Sequence, residues 1–391
     1  MSMTATPAAL TDDERAAILE AVREFAQVRL APNALDWDRR KHFPRDVLAE
    51  AGELGLGGIY VREDVGGTGL SRADAAAVFE QLAMGDPTIA AYISIHNMVA
   101  WMIDVNGTDA QRREWLSRLT TMRDLGSYCL TEPGAGSDAA AITTSAIADG
   151  DEYVLTGVKQ FISGAGEASV YLVMARTDPS TGCGAGGAKG ITAFLVPADA
   201  PGLSFGPSGQ KMGWNAQPTR QVIFDEVRVP ASAILGEVGG GFRIAMKGLN
   251  GGRVNIAACS LGGAQWALDR AVRYVHERFT FGEALAERQS VVFTLADMAT
   301  ELQAARALVR DAARAIDENA PDAATQCAMA KRFATDAGFD VANRALQLHG
   351  GYGYLQEYGI EKVVRDLRVH QILEGTNEIM RVIIGRAVVG A

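Results

Sequence analysis

The sequence lacks the patterns that define disulfide-rich and metal-binding proteins. Its four cysteines are far apart and form no C-x-x-C pair, which argues against a disulfide framework or a thiolate metal site. The five histidines form no H-E-x-x-H motif, so no metal is expected. We therefore predict four reduced thiols in a reducing compartment, namely Cys129, Cys183, Cys259 and Cys327.

Long apolar runs and an excess of basic charge are missing as well. No uninterrupted apolar stretch reaches the roughly 18 residues of a membrane-spanning helix. The opening residues, MSMTATPAALTDDER, match neither a secretion signal nor a transit segment. The net charge is −10, whereas nucleic-acid binding calls for clustered Lys and Arg. These absences predict a cytoplasmic protein that binds neither membranes nor nucleic acids.

Residues 1–122 predict an all-α domain. Thr11 and Glu14 form a capping box, and apolar residues follow at helical spacing. Ser71 and Asp74 open another helix in the same manner. Helical patterning continues to the end of this region, so the first part of the 391-residue chain is expected to be a separate helical unit.

Residues 123–235 show a β pattern instead. Short β-rich runs occur at 153–155, 170–174, 191–196 and 221–224, separated by Gly, Pro, Asp and Ser. No helical stretch intervenes, which favours an antiparallel sheet or barrel.

Helical spacing returns in residues 236–391. Val291, Leu295, Met298 and Leu302 step by three and four positions along an amphipathic helix, and few breakers interrupt this region. The predicted fold is therefore α+β and mostly α, with an N-terminal helical domain, a middle antiparallel β domain and a C-terminal four-helix bundle.

A glycine-rich segment is the first candidate for chemistry. Gly134, Gly136 and Ala139 match G-x-G-x-x-A. A dinucleotide fingerprint also needs a long following helix and an acid about 20 residues on, yet a β-rich domain follows and Lys159 stands near that position. A Gly-rich turn suits close approach of backbone N–H groups to a phosphate or a flavin ring. On this segment alone, an ordinary tight turn is favoured.

Two further segments have similarly open interpretations. Gly350 and Gly351 follow a helix and could simply terminate it or could leave room for a cofactor. Glu374 is a lone acid, and most lone acids are solvated. Its neighbours Ile372 and Leu373 suggest an interior position, where desolvation raises a carboxyl pKa and strengthens the base.

Together and in this order, these segments resemble the acyl-CoA dehydrogenase family. YCLTEPGAGSD at 128–138 and FIS at 161–163 resemble its flavin-binding segments. RFTFG at 278–282 and QLHGG at 347–351 resemble its cofactor contacts across a subunit boundary, and EGTNE at 374–378 resembles the segment with the catalytic base. The resemblance implies Glu374 as the base and FAD contacts by Tyr128, Leu130, Thr131, Gly136, Ser137, Phe161, Ile162, Ser163, Arg278, Phe281, Gln289, Gln347, Leu348, Gly350, Gly351, Thr376, Asn377 and Glu378.

Within the family, four stretches resemble the branch that oxidises isobutyryl-CoA: AYISIHNMVAWMID, GWNAQPTR, GLNGGRVNIA and RVHQILEGTNEIMR. Isovaleryl-CoA dehydrogenases carry their base at the position before Arg253, which is Gly252 here. Glu374 is therefore the sole candidate base by resemblance. Phe161 stands where straight-chain members have Trp, which argues against a medium-chain substrate.

The resemblance implies oxidation of isobutyryl-CoA to methacrylyl-CoA in valine catabolism, with electrons passed to electron-transfer flavoprotein and a homotetrameric assembly. Arg253 is a candidate ligand for the anionic CoA moiety, with a helix-surface salt bridge as its alternative role. The other substrate contacts implied are Ser137, Asn250, Gly375 and Arg386.

Several other functions stay open from the sequence. A 2-methylbutyryl-CoA or short straight-chain acyl-CoA dehydrogenase differs by a methylene or two, which is worth only about 1–3 kcal/mol of discrimination. An acyl-CoA oxidase or a flavin monooxygenase shares the architecture but returns electrons to oxygen. A non-enzymatic acyl-CoA-binding protein would carry no flavin.

Overall fold

The N-terminal part is helical, as predicted. The computed structural model describes residues 10–181 and 185–390, so Cys183 lies outside the described residues. Thr11 and Glu14 form the predicted capping box, and Ser71 Oγ accepts a 3.0 Å hydrogen bond from the Asp74 N–H. The helices are α1 Asp12–Phe25, α2 Ala34–Arg40, α3 Arg45–Glu53, α4 Arg72–Gly85, α5 Pro87–Asn106 and α6 Asp109–Leu119.

Helix α5 has the length and composition of a membrane-spanning segment, with a mean hydropathy of 1.2, and it is the one such helix in the described part of the chain. Polar residues are scattered along α5, so the helix contains no uninterrupted apolar run of the length expected for a membrane span. In this fold 83% of the apolar window is buried, and α5 packs against α4, α6 and the long helix Gly241–Glu277. That burial is typical of a core helix.

The middle part is an eight-stranded sheet with the order β6-β7-β3-β2-β4-β5-β8, and β1 pairs with β4. Its pairs are mostly antiparallel, as predicted, but β4 pairs in parallel with both β1 and β2. Parallel pairing depends on long connections and leaves no local sequence signal. The strands are β1 Gly126–Cys129, β2 Ser145–Asp149, β3 Glu152–Ser163, β4 Val170–Arg176, β5 Ile191–Pro197, β6 Leu203–Phe205, β7 Thr219–Pro230 and β8 Ile234–Leu235.

The C-terminal part is a helical bundle, which confirms the prediction. Helices α7, α8 and α9 pack against one another, and α10 and α11 pack on α9, so the bundle has one helix more than the four predicted. The exact domain boundaries at 122 and 235 stay predictions. The elements are α7 Gly241–Glu277, a hairpin of β9 Phe279–Thr280 and β10 Glu283–Ala284, α8 Gln289–Asp317, α9 Ala323–His349, α10 Ile360–His370 and α11 Asn377–Val389.

A buried polar network joins the three parts at α10. Lys362 donates to Asp86 (3.0 Å) and to Asp366 (2.7 Å). The Asp366 carboxylate also accepts from the Trp214 N–H (2.7 Å) and from Thr88 Oγ1 (3.0 Å). Because buried charges with several partners fix one arrangement, this network holds α10, and hence the chain that follows it, in a defined position.

Candidate active site

The centre of the candidate site is the bend between α10 and α11. Glu374 and Gly375 both have left-handed backbones, with φ values of +56° and +89°. Such a conformation costs a non-glycine residue roughly 1–2 kcal/mol, so its surroundings must hold it. Thr376 Oγ1 accepts from the Ile379 N–H (3.3 Å) and caps α11 directly after the bend.

Helix α7 leaves room for the Glu374 side chain at Gly252. A Cβ atom placed on Gly252 would lie 2.5 Å from Glu374 Oε2, which is shorter than any tolerable contact. The carboxylate therefore packs on bare helix backbone. This arrangement explains physically why position 252 carries no acid: a side chain there and the present Glu374 rotamer exclude each other.

The Glu374 carboxylate is desolvated and incompletely bonded. Its Oε2 is inaccessible to solvent and has no hydrogen-bond partner among the described residues. Burial raises the pKa of Glu374 to about 7, although Arg253 and Lys331 act in the opposite direction. An unpartnered carboxylate with a raised pKa is suited to accept a proton near neutral pH.

The source of this desolvation differs from the one that the sequence suggested. Ile372 was expected to face the interior, but its side chain is 50% exposed, so that expectation is wrong. Leu373 is partly buried and packs against Ala91, Trp214 and Ile256. The short turn between α10 and the bend points these neighbours in different directions, and α7 rather than Ile372 shields the carboxylate.

Arg253 supports the bend from α7. It is only 6% exposed, and its Nε donates to the Glu374 carbonyl oxygen (3.2 Å) while Nη1 donates to Asn250 Oδ1 (2.8 Å). The helix-surface salt bridge is therefore wrong, because the guanidinium is buried and its hydrogen-bond partners are neutral oxygens. Contacts of Arg253 and Asn250 with a CoA moiety stay predictions.

Lys331 supports the bend from α9 and is not among the residues predicted from the sequence. Its side chain is fully buried, and Nζ donates to the Gly375 carbonyl oxygen (2.8 Å) and to Asn377 Oδ1 (2.9 Å). The available signal was its spacing, because Cys327, Lys331 and Thr335 share the buried face of α9 at four-residue intervals. A lysine on such a face calls for a partner.

A buried arginine at the start of α4 packs against α7 beside Gly252 and was also missed. The Arg72 guanidinium stacks on the Tyr60 ring, 3.6 Å from its centroid, and on Trp101, 4.7 Å from its centroid. A Cβ on Gly251 would lie 2.6 Å from Arg72 Nη1. Asn255 donates to Tyr60 Oη (3.1 Å). These residues form a rigid wall beside Gly252.

The first flavin-type segment forms an open turn. A Cβ on Gly134 or on Gly136 would meet no atom within 4 Å, so the turn presents bare backbone to open space. A short 3₁₀ turn at Ala139–Ala141 follows it instead of a long helix, which confirms that the dinucleotide fingerprint does not apply. Lys159, near the position where that fingerprint needs an acid, donates to Glu132 Oε1 (2.8 Å) and anchors the turn to β3.

Phe161 is presented by an irregularity in β3. The register of β3 against β7 shifts between Lys159 and Ile162, and Phe161 has a φ of +59° and is 70% exposed. A bulge re-aims a side chain in this way. Tyr128, on β1, has a buried hydroxyl without a hydrogen-bond partner among the described residues. Ile162 is 2% exposed, so any cofactor contact at that position uses its backbone.

Most residues of the second flavin-type group, but not Phe281 or Gln289, line a separate cleft of about 400 Å³. The described lining of this cleft includes none of residues 128–163. Phe281, at the tip of the β9–β10 hairpin, is 96% exposed, and Gln289 begins α8 with an exposed side chain. The cleft is lined by Tyr274, Arg278, Thr280, Leu285, Gln347, Leu348, His349, Gly350, Gly351, Tyr352 and Leu355.

The remaining predicted residues lie at the bend, along α11 and in the turn around Gly136. Asn377 is buried, its side chain is engaged with Lys331, Thr335 and Asp336, and its N–H donates to the Gln371 carbonyl oxygen (3.0 Å). Ser137, Glu378 and Arg386 have exposed side chains, as do Phe161, Phe281 and Gln289.

Three family models cover most of the chain. They are the N-terminal domain of acyl-CoA dehydrogenase at residues 12–123, the middle domain at 127–227 and the C-terminal domain at 239–389. The chain belongs to the acyl-CoA dehydrogenase family. It is therefore an oxidoreductase by family, and the predicted resemblance is confirmed.

Individual family members match over nearly the whole length. Isobutyryl-CoA dehydrogenase, mitochondrial, from Dictyostelium discoideum is 52% identical over 377 residues, which cover 96% of this chain and 89% of that protein. The butyryl-CoA dehydrogenase structure from Megasphaera elsdenii has a TM-score of 0.93 at 38% identity and covers 98% of this chain and 99% of its own. A structure described as the electron transferring flavoprotein of Acidaminococcus fermentans has a TM-score of 0.94 at 38% identity, covering 98% and 99%.

A flavin, the cofactor of this family, fits the residues that are present. The open turn around Gly136 offers bare backbone, Phe161 offers an exposed aromatic face, and Tyr128 offers an unused hydroxyl. These groups suit the phosphate and ring portions of a flavin nucleotide.

Proposed function

We propose that this protein oxidises isobutyryl-CoA to methacrylyl-CoA, as a step in valine catabolism, with Glu374 as the base. The observation that carries the proposal is the Glu374 carboxylate above Gly252, whose Oε2 is inaccessible to solvent and has no hydrogen-bond partner among the described residues. The substrate is supported by the 52% identity to an isobutyryl-CoA dehydrogenase. Electron-transfer flavoprotein is the proposed acceptor, supported by the description of one structural relative.

The bend supplies two groups for the reaction. The Glu374 carboxylate removes the α-proton of the thioester, and its raised pKa strengthens it as a base. The backbone N–H of Glu374 takes part in no hydrogen bond among the described residues, so it is free to donate to the thioester oxygen and stabilise the developing enolate. Desolvation by α7 strengthens both effects.

FAD is the proposed cofactor, and when bound it supplies the acceptor for the β-hydride. The chain contributes Tyr128, Phe161 and the turn around Gly136 to one part of the FAD site. The separate cleft at Arg278 and Gln347–Gly351 supports a site completed by a second subunit. We therefore propose a homotetramer in which this cleft and the exposed Phe281 contact a neighbour's cofactor.

The proposed location is the cytoplasm. Cys129, Cys259 and Cys327 are buried free thiols, which fits a reducing compartment. The relative from Dictyostelium discoideum is described as mitochondrial, and fractionation distinguishes the two compartments.

The test is anaerobic bleaching of the flavin absorption band by a panel of acyl-CoAs. We expect isobutyryl-CoA to bleach the band fastest, with 2-methylbutyryl-CoA and butyryl-CoA slower. The Glu374→Gln protein should keep its flavin but lose about 10²- to 10⁴-fold in the bleaching rate, because the base is removed. Near-normal bleaching by this variant would remove Glu374 from the role.

Other outcomes of the same experiment favour the alternative functions. Sustained peroxide formation with acyl-CoA in air would indicate an oxidase. A purified protein that is colourless and inert to every thioester would indicate an acyl-CoA-binding protein. Fastest bleaching by another chain would correct the substrate and leave the reaction class intact.

A further inference from the structure

The catalytic bend is held by two cations that bond to neighbouring backbone carbonyls. Arg253 donates to the carbonyl of Glu374 from α7, and Lys331 donates to the carbonyl of Gly375 from α9. Glu374 and Gly375, whose carbonyls accept these hydrogen bonds, are also the two residues of the bend with left-handed backbone conformations. Each strained peptide is therefore fixed from a different helix.

Lys331 also connects the bend to the first turn of α11. Its second acceptor is Asn377 Oδ1 (2.9 Å), and the Asn377 amide nitrogen donates in turn to Asp336 Oδ1 (2.7 Å) and Thr335 Oγ1 (3.0 Å) on α9. One ammonium group thus joins α9, the bend and the start of α11. Movement of α11 against α9 would break these contacts.

The environment of Lys331 is unusual for a buried lysine, because no carboxylate is in direct contact with its ammonium group. No Asp or Glu oxygen of the described residues lies within ion-pair distance of its Nζ, in contrast to Lys159 and Lys362, which are paired with carboxylates at 2.7–3.0 Å. The group that most favours its charged form is Glu374. A buried ammonium bonded only to neutral oxygens is poised to interact with the base across the bend.

We propose that Lys331 is a positioning residue for the catalytic base: it fixes the Glu374–Gly375 bend through the Gly375 carbonyl and Asn377, and its charge favours the carboxylate form of Glu374. This inference rests on the proposed function, since it assumes that Glu374 is the base. It assigns to α9 a part in proton abstraction without contact between Lys331 and the substrate.

The surroundings of Lys331 make its effect on pH dependence specific. The charged groups that face it are Glu374 in the bend, Arg253 on α7, Asp336 on α9 and Glu378 on α11. Burial lowers the pKa of Lys331 to about 7 despite the opposing effect of Glu374. Burial lowers the pKa of His370 to about 3 and raises the pKa values of the Cys327 thiol and of the Tyr60 and Tyr128 phenols, so these groups are neutral near pH 7. Arg72 is a further buried cation in this region.

Two variants separate the charge of Lys331 from its hydrogen bonds. Lys331→Met removes both, whereas Lys331→Gln keeps an N–H donor for the Gly375 carbonyl and removes only the charge. The control is Arg310→Met, which removes an exposed cation from α8, outside this network. The measurement is the rate constant of anaerobic flavin reduction by isobutyryl-CoA as a function of pH in the holoenzymes.

Both Lys331 variants should show the midpoint of the pH–rate profile displaced upward, because the Glu374 carboxylate loses a nearby cation. Near pH 7 we expect a rate about tenfold below wild type, recovering as the pH rises. Lys331→Met should recover less than Lys331→Gln at high pH, because the bend is also loosened. The Arg310→Met profile should match wild type.

The proposal is overturned if the pH–rate profiles of the Lys331 variants keep the wild-type midpoint. This holds if the rates are normal. It also holds if the rates fall by the same factor at every pH, because a uniform loss indicates a merely structural role for Lys331. If Lys331→Met does not retain flavin, the midpoint of the Lys331→Gln profile alone decides between the two outcomes. Failure of the wild-type protein itself to be bleached by any acyl-CoA refutes the proposed function instead, so the two failures are distinguishable.

Discussion

Two glutamates with solvent-inaccessible oxygens, the buried Glu132 and the partly buried Glu374, have opposite environments in this molecule. Glu132, in the middle domain, accepts hydrogen bonds from the N–H and hydroxyl of Thr143 (2.6 and 2.9 Å), from the Thr144 N–H (2.9 Å) and from Lys159 (2.8 Å). Although burial acts to raise it, these partners lower the pKa of Glu132 to about 2. Glu374 has an unpartnered Oε2 and a pKa of about 7.

The comparison shows that partners, and not burial alone, decide what a buried carboxylate does. Each glutamate has a buried lysine nearby, but Lys159 contacts the Glu132 carboxylate while Lys331 contacts backbone and amide oxygens. Direct contact fixes a permanent charge that anchors a turn. Because Lys331 and the Glu374 carboxylate are not in direct contact, Glu374 is able to take and release a proton near neutral pH.

Breaking the Glu132–Lys159 pair should have the largest effect on stability. Lys159→Met leaves Glu132 buried without its cation, and we expect the free energy of unfolding to fall by about 3–5 kcal/mol. Urea denaturation of the holoenzyme measures this loss. Lys247→Met, at an exposed position of α7, should change it by less than about 0.5 kcal/mol. Equal stabilities of the two variants would contradict a structural role for the pair.

Crowding the Glu374 carboxylate should have the next largest effect. In Gly252→Ala the new Cβ would lie 2.5 Å from Oε2 and must displace it, so we expect flavin reduction to slow about 100-fold. The matched control is Gly385→Ala on α11, where a Cβ meets no atom within 4 Å. Stopped-flow reduction at equal flavin content makes the comparison. A wild-type rate in Gly252→Ala would refute the packing of the carboxylate on α7.

The sequence predicted the large features of the fold because they have local signals. Capping residues at Thr11 and Ser71 and the apolar spacing from Val291 onward were sufficient to place helices. The parallel pairing of β4 with β1 and β2 had no such signal, since it depends on contacts distant in the chain.

The sequence predicted Glu374 as the centre of the site but did not predict the buried residues around it, Lys331 and Arg72. Resemblance identified the base, while the exposed Ile372 shows that its apolar neighbours were a poor guide to its environment. Lys331 and Arg72 act through contacts formed by packing of different helices. Such contacts follow from the tertiary structure, and a single sequence offers only the weak signal of a charge on a buried helical face.

The most direct test of the account is the pH dependence of anaerobic flavin reduction by isobutyryl-CoA. The reactive form of Glu374 is the carboxylate, so the rate should rise with pH through a midpoint near 7, the pKa of this group. Glu374→Gln should retain its flavin and lose both the rate and this midpoint. A wild-type profile that is flat from acid to alkaline pH, or a Glu374→Gln protein with the same midpoint, would contradict the claim that a desolvated Glu374 is the base.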